Sequence, residues 1–430
     1  MLEVLGGLAL NHNDDLTTGG REVGVLTARM VIIKSYHRVI LSIFMIVSSA
    51  RLALVFTLTS TAGCAGVATR AKPETTTLRH AFAPSFLVGA AINGRQIDGS
   101  DSIADAIVAR QFNSISPENV LKWAVVEPQP GQFNFGPADR YVALGERYKA
   151  VIIGHTLVWH NQTPAWVFEN ATGAPVSRDS LIAHMRSHIR AVVGRYKGRI
   201  HGWDVVNEAV NEDGSLRQSP WLRIIGPEYI ALAFRFAHEA DPAAELHYND
   251  FAVEGSAKRA GIVRLVRSLR ADGVPITAIG MQEHQKLDWP TIGAIDSAIV
   301  DLSDTGLKLM VTELDVDVLP SNRGQRTEAI EQRLLRTGAP DPYRGGLPDS
   351  VQQALARRYG EIVRVYLAHR DVITRMTFWG VDDADSWLNN FPVRGRVNYP
   401  LLFDRGGMAK AAFDTVVAAA VASGSVHASR

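Results

Sequence analysis

The sequence predicts an α/β fold, a closed parallel barrel of eight strand–helix units in the TIM (β/α)8 arrangement, as one catalytic domain behind an N-terminal leader. Three observations carry this. Short apolar runs alternate with helix-patterned segments eight times over residues 81–420, the period of repeated β–α units. The end of almost every strand-like run bears polar side chains, where such barrels place their chemistry. No Gly-rich phosphate loop follows the first strand, which disfavours a doubly wound open sheet.

Composition sets the class. The 430 residues are 46% apolar and 21% charged, enough for a large core in a soluble globular protein. A formal charge of +1 gives no reason to expect nucleic acid, an acidic membrane or a polyanionic substrate. The single cysteine, Cys64, excludes an intramolecular disulfide and a cysteine-rich metal site. No repeat of solenoid or propeller period occurs.

Residues 1–64 read as an N-terminal extension and signal segment. An apolar stretch from Val39 to Ala50 is interrupted by Arg51 and resumes at Leu52, ending on Thr61-Ala-Gly-Cys64. A basic residue, a short apolar run and small residues describe a secretory signal. The last four resemble a lipobox, in which Cys64 is lipidated and becomes the mature N-terminus. Counted from Met45, the leader has the proportions of a complete lipoprotein signal. The alternatives are an ordinary secretory signal and a membrane anchor over residues 39–62, which Arg51 near its middle makes costly. The expectation is therefore export, as a periplasmic or outer-membrane lipoprotein or a secreted protein, with membrane contact only through this leader or its lipid. Residues 65–80, rich in Ala, Thr, Lys and Pro, read as a flexible tether, and residues 421–430 as a C-terminal tail.

The strand candidates are Phe86–Ile92, Phe112–Ser116, Val151–Gly154, Ile200–Val206, Glu245–Tyr248, Ile276–Met281, Leu307–Thr312 and Val372–Trp379. Helical spacing appears between them, as in Leu181, Met185, Ile189, Val192 and Tyr196, or in Leu355, Tyr359, Ile362, Val363 and Tyr366. Asp272-Gly273 closes a helix ahead of the sixth strand. The strand ends then supply a ring of polar and aromatic groups. Glu118, Asn119 and Lys122 follow the second strand, His155 the third, and Asn207 and Glu208 the fourth. Asn249 and Asp250 follow the fifth, Gln282 and His284 the sixth, Glu313 and Asp315 the seventh, and Trp379 the eighth.

Two carboxylates on rigid strand ends, Glu208 and Glu313, suit glycoside hydrolysis, in which one acid is protonated and the other ionised. Aromatic faces such as Trp159, Trp379 and Trp387 suit the C–H faces of sugar rings. The segments Trp203-Asp-Val-Val-Asn-Glu208 and Val311-Thr-Glu313-Leu-Asp315 resemble the acid/base and nucleophile signatures of glycoside hydrolase family 10, whose members are mainly endo-β-1,4-xylanases on a TIM barrel. The resemblance extends, in order, through Pro117-Glu-Asn-Val-Leu-Lys122, Gly154-His-Thr-Leu-Val-Trp-His-Asn-Gln162, Tyr248-Asn-Asp250, Gly280-Met-Gln-Glu-His284 and Trp379-Gly-Val-Asp-Asp-Ala-Asp-Ser-Trp387.

This resemblance implies a retaining endo-β-1,4-xylanase acting on xylan or xylo-oligosaccharides, working as a monomer without a cofactor. Glu208 would be the acid/base and Glu313 the nucleophile. Asn207 would bond the sugar 2-hydroxyl, Gln282 would lie beside the acid/base, and His284, oriented by Asp315, would bond Glu313. Glu118, Asn119, Lys122, His155, Trp159 and Gln162 would line the glycone subsites, closed by Trp379 and Trp387. The family's cis peptide would fall at His155–Thr156, and the two catalytic carboxyls would lie about 5–5.5 Å apart, the retaining separation.

The chain departs from the family at Asp404-Arg-Gly-Gly-Met-Ala-Lys410-Ala-Ala-Phe413 and carries a long charged stretch over 317–349. Other readings weigh against parts of this one: the same mechanism on another β-1,4-glycan, or a decayed barrel that only binds glycans. Lys122 could instead pair structurally with Glu118. His155 and His160 have no third strand-end ligand arranged with them, so a zinc hydrolase is disfavoured. Trp123, Trp166, Trp203, Trp221 and Trp289 read as core or rim residues.

Overall fold

The computed structural model describes residues 76–320 and 341–428. Cys64, the signal segment, most of the tether and part of the charged stretch lie outside them.

Among the described residues nine strands form: β1 (Leu87–Ile92), β2 (Ser114–Pro117), β3 (Val151–Val158), β4 (Gly202–Asn207), β5 (Glu245–Asp250), β6 (Ala278–Met281), β7 (His284–Lys286), β8 (Lys308–Asp317) and β9 (Ile373–Phe378). All their pairings are parallel, running β1 to β6 in order, then β6 with β8, β8 with β9, and β9 back to β1. Eight strands therefore close a parallel barrel. Each is followed by a long helix: Ser102–Gln111, Gly136–Tyr148, Arg178–Arg195, Tyr229–Ala240, Ser256–Ala271, Ile292–Ser303, Asp349–Ala368 and Ala411–Ala428.

The strands are buried over nearly their whole length, because helices cover their outer faces and side chains fill the interior. Side chains also decide the close approaches. A Cβ at Gly154 on β3 would lie 2.1 Å from the buried Trp203 ring on β4, so only glycine lets that indole fill the wall.

The boundaries differ most from the sequence expectation at five elements. β3 and β8 run on past their apolar stretches, to Val158 and Asp317. β7, a three-residue strand paired with Asp315–Asp317, has no apolar signature. A short helix at Leu78–Ala81, with Leu78 buried, begins inside residues 65–80. The last helix continues to Ala428, through most of the stretch read as a tail.

Candidate active site

The strand tips converge on two carboxylates. Asn207 ends β4, and Glu208 follows it in the left-handed region at φ 58°, a conformation disfavoured for a residue with a Cβ. That turn aims the Glu208 side chain at the cleft. It is held by Glu208 N–H donating to Asn249 O (2.9 Å), by Ala209 N–H donating to Tyr248 Oη (3.1 Å) and by Arg217 Nε donating to Glu208 O (2.9 Å). Among the described residues the Glu208 carboxylate accepts only from neutral groups: Trp159 Nε1 at 2.9 Å, Gln282 Nε2 at 3.2 Å and Asn207 Nδ2 at 3.3 Å.

Glu313, buried on β8, has different neighbours. His284 Nε2 lies 3.1 Å from its Oε2, and Asn249 Nδ2 donates to its Oε1 at 2.8 Å. His284 Nδ1 lies 3.1 Å from Asp315 Oδ2, which also accepts from Trp387 Nε1 at 2.7 Å. Burial opposes a charged His284, yet Asp315 and Glu313 outweigh it and lift the imidazole to about 10. Burial likewise pushes Glu313 upward, but the His284 hydrogen bond, the proximity of His155 and His284, and the Asn249 bond hold its carboxyl below the ordinary value. Glu313 therefore stays ionised over the whole neutral range.

Amides join the two acids. Asn249 Nδ2 bridges Glu313 and Asn207 Oδ1 (2.9 Å), and Gln282 Nε2 bridges Asn207 Oδ1 (3.3 Å) and Glu208. With its oxygen taken twice, Asn207 turns its amide nitrogen toward the cleft. Thr312 Oγ1 donates to Asn249 Oδ1 at 2.7 Å and fixes the bridge.

Glu118, Asn119 and Lys122 make up one side of the cleft. Lys122 is buried, donates to Asn119 Oδ1 at 3.1 Å and lies 5.1 Å above the Trp159 ring. Burial lowers its pKa, opposed by Glu313, Glu118 and Glu208, so one cation faces three carboxylates. Burial, with a smaller push from Asp385 and partial relief by Lys122, raises Glu118 to about 7. An open groove of about 290 Å³ adjoins Asp385, bounded by Asn93, Arg95, Ser386 and Asn390.

His155 lies 3.0 Å from Asp204 and meets the Trp379 ring edge-on, and its peptide to Thr156 is cis as expected. Trp379 and Trp387 both pack against His284. Gln162 is exposed, as Asn119 is, and stands at φ 48° with its carbonyl accepting from Ala124 N–H. Sequence reasoning placed Asn249 on the ring but gave it no role, although Tyr248-Asn-Asp250 was among the matching motifs. Among the described residues no group of three or more His, Cys, Asp or Glu side chains is set to hold a metal ion.

The family model described as "Glycosyl hydrolase family 10" matches residues 77–419. The chain is 42% identical over 329 residues to endo-1,4-beta-xylanase A of Xylanibacter ruminicola, covering 76% of this chain and 89% of that protein. It is 42% identical over 347 residues to an endo-1,4-beta-xylanase of Geobacillus stearothermophilus, covering 79% and 97%. Among solved structures, a GH10 endoxylanase from a sugarcane soil metagenome superposes with a TM-score of 0.75 at 43% identity, covering 80% of this chain and 99% of that one.

Proposed function

The chain belongs to glycosyl hydrolase family 10, a glycoside hydrolase, and from that premise we propose that it is a retaining endo-1,4-β-xylanase with Glu208 as acid/base and Glu313 as nucleophile. The carrying observation is the asymmetry of the two carboxylates: a cationic imidazole bonds Glu313, whereas among the described residues only neutral donors bond Glu208. The first stays an anion, and the second accepts no hydrogen bond from a cation, the division of roles that an acid/base and a nucleophile need.

In the first step Glu313 attacks the anomeric carbon as Glu208 gives its proton to the departing glycosidic oxygen. In the second, Glu208 takes a proton from water, which attacks the same carbon and releases Glu313. Asn207 Nδ2 meets the 2-hydroxyl, whose bond tightens as the ring gains oxocarbenium character. Glu118, Asn119 and Lys122 hold the glycone hydroxyls, with Trp159, His155, Trp379 and Trp387 around the ring. Direct attack by Glu313, with no water between it and the sugar, requires the two carboxyl groups to stand about 5–5.5 Å apart, the retaining separation.

Incubation with an activated 2-fluoro-xylobioside tests the assignment: mass spectrometry should find the adduct on Glu313. A label elsewhere, or none on folded protein, overturns it. We further propose export through a lipid on Cys64. Palmitate labelling should vanish in Cys64→Ser, and labelling that persists would refute the anchor.

A further inference from the structure

Directly behind the turn that serves both acids lies a second carboxyl pair. Glu283 stands between Gln282, which bonds Glu208, and His284, which bonds Glu313. It adopts φ 64°, the left-handed region, and is 1% exposed. Its side chain points away from the cleft and meets that of Glu254, itself 7% exposed, within hydrogen-bonding reach. One oxygen of Glu283 accepts from Tyr366 Oη at 2.8 Å and from Gln285 Nε2. The other, Oε1, and Glu254 Oε2 are both buried and have no donor. Each carboxyl thus holds a buried oxygen that no donor satisfies, and a proton held between two neighbouring carboxyls is what supplies one.

We infer that Glu254 and Glu283 share one proton, and that this acid pair is a positioning device holding the Gln282–Glu283–His284 turn in register with both catalytic carboxylates. The inference rests on the reading of Glu208 and Glu313 given above.

The surroundings suit a single negative charge. Arg358, on the helix Asp349–Ala368, donates to Gln285 Oε1 at 2.9 Å and to Lys286 O and Pro290 O, and its charge acts on both carboxyls. Lys258, from the helix Ser256–Ala271, also acts on Glu254 but is already paired with Asp250 at 2.8 Å. Arg259 bonds the Glu254 carbonyl and Asp301. Glu361 acts on Arg358 from the outside. With one shared proton the pair carries one negative charge, which Arg358 balances. Loss of that proton puts two anions side by side in a dry site. Burial foremost, and for Glu283 the neighbouring Glu254, raises both carboxyls above the ordinary glutamate value. A group raised in the folded state contributes stability below its unfolded pKa and loses it as pH climbs toward the folded one.

Two readouts test this. First, the melting temperature is followed from about pH 5 to about pH 9 for the wild type, Glu283→Gln and Glu254→Gln. In either variant an amide N–H replaces the shared proton and cannot titrate. The wild type should lose stability across this range, and both variants should lose less. Equal slopes in all three overturn the shared proton. Second, kcat/KM is measured over the same range with an aryl xylobioside whose leaving group is too good to need Glu208 as acid, which removes the titration of Glu208 from the profile. The alkaline limb should move upward in Glu283→Gln by about one pH unit or more, because the amide does not titrate and the next group sets the limb. An unmoved limb alongside the expected melting behaviour overturns the positioning role and leaves the pair structural. Wild-type protein with no activity on any xyloside defeats the functional reading instead, while the melting comparison still decides whether the proton is shared.

Discussion

Asp315→Asn removes one charge and almost no volume, and its effect can be worked from the geometry. Asp315 lies 3.1 Å from His284 Nδ1 and is almost fully buried, with its oxygen also accepting from Trp387. The imidazole rises from 6.5 to about 10 in the fold, with Asp315 the largest favourable cause. A rise of roughly 3.5 pH units, at about 1.4 kcal/mol each, is on the order of 5 kcal/mol net, left after the two carboxylates have overcome the burial penalty. A raised histidine contributes this stability in full below its unfolded value, and the contribution disappears as pH rises from about 6.5 to about 10. Asparagine keeps an acceptor for Trp387 but not the charge. Asp315→Asn should therefore destabilise by about 3 kcal/mol at pH 6, with the deficit shrinking toward zero near pH 10. The kinetic consequence has its own sign. With His284 neutral at pH 7, Glu313 loses the cation that holds its carboxyl down, so the acid limb of kcat/KM should move to higher pH by about one unit. Urea unfolding at the two pH values and a kcat/KM profile measure both effects. A deficit equal at both pH values, or an acid limb that stays in place, would show that Asp315 is not what keeps His284 charged.

Other residues yield further tests. Gly280→Ala would place a Cβ 2.4 Å from Asn249 Oδ1 and push the bridging amide off Glu313; kcat should fall on the order of 100-fold in protein whose circular dichroism is unchanged, and wild-type turnover would refute the bridge. Glu118, raised to about 7, should make KM vary between pH 6 and 8, and Glu118→Gln should flatten that dependence; a curve of the same shape in both would place the titration elsewhere. Glu208→Ala should slow hydrolysis of a poor leaving group far more than a good one, because only the poor one needs protonation in the first step; equal losses in that step would argue against the acid role.

The barrel was legible because its strands are sheathed by helices and read as apolar runs between helical periods. Legibility ended where inward-facing residues turned polar. β8 continues through Thr312, Glu313 and Asp315 while remaining a strand, and an apolar count stops at Thr312. β7 is His-Gln-Lys, held in place by pairing with Asp315–Asp317, a tertiary cause with no local signal. The acids were legible as strand-end glutamates, and the ordered motifs identified their company. The left-handed turn at Glu208 was not, since nothing about Asn-Glu-Ala announces a positive φ; the backbone and Arg217 bonds around it impose it.

The bridge between the acids comes from strand register rather than from loops. Asn207 on β4 is paired with Asn249 on β5, and Asn249 with Gly280 on β6. Adjacent paired residues on parallel strands point the same way, so the two asparagines lie side by side inside the barrel and one can donate to the other. The next position must be empty, because any side chain at 280 would occupy the space of the Asn249 amide. That vacancy lets Asn249 reach past β6 to Glu313 on β8, where Thr312 secures its oxygen. Glu208 and Gln282 each stand one residue beyond the strands that carry this row. The spacing of the two carboxylates is thus set by the stagger of four packed strands, and substitutions in the surrounding loops should alter substrate affinity before they alter the distance between the acids.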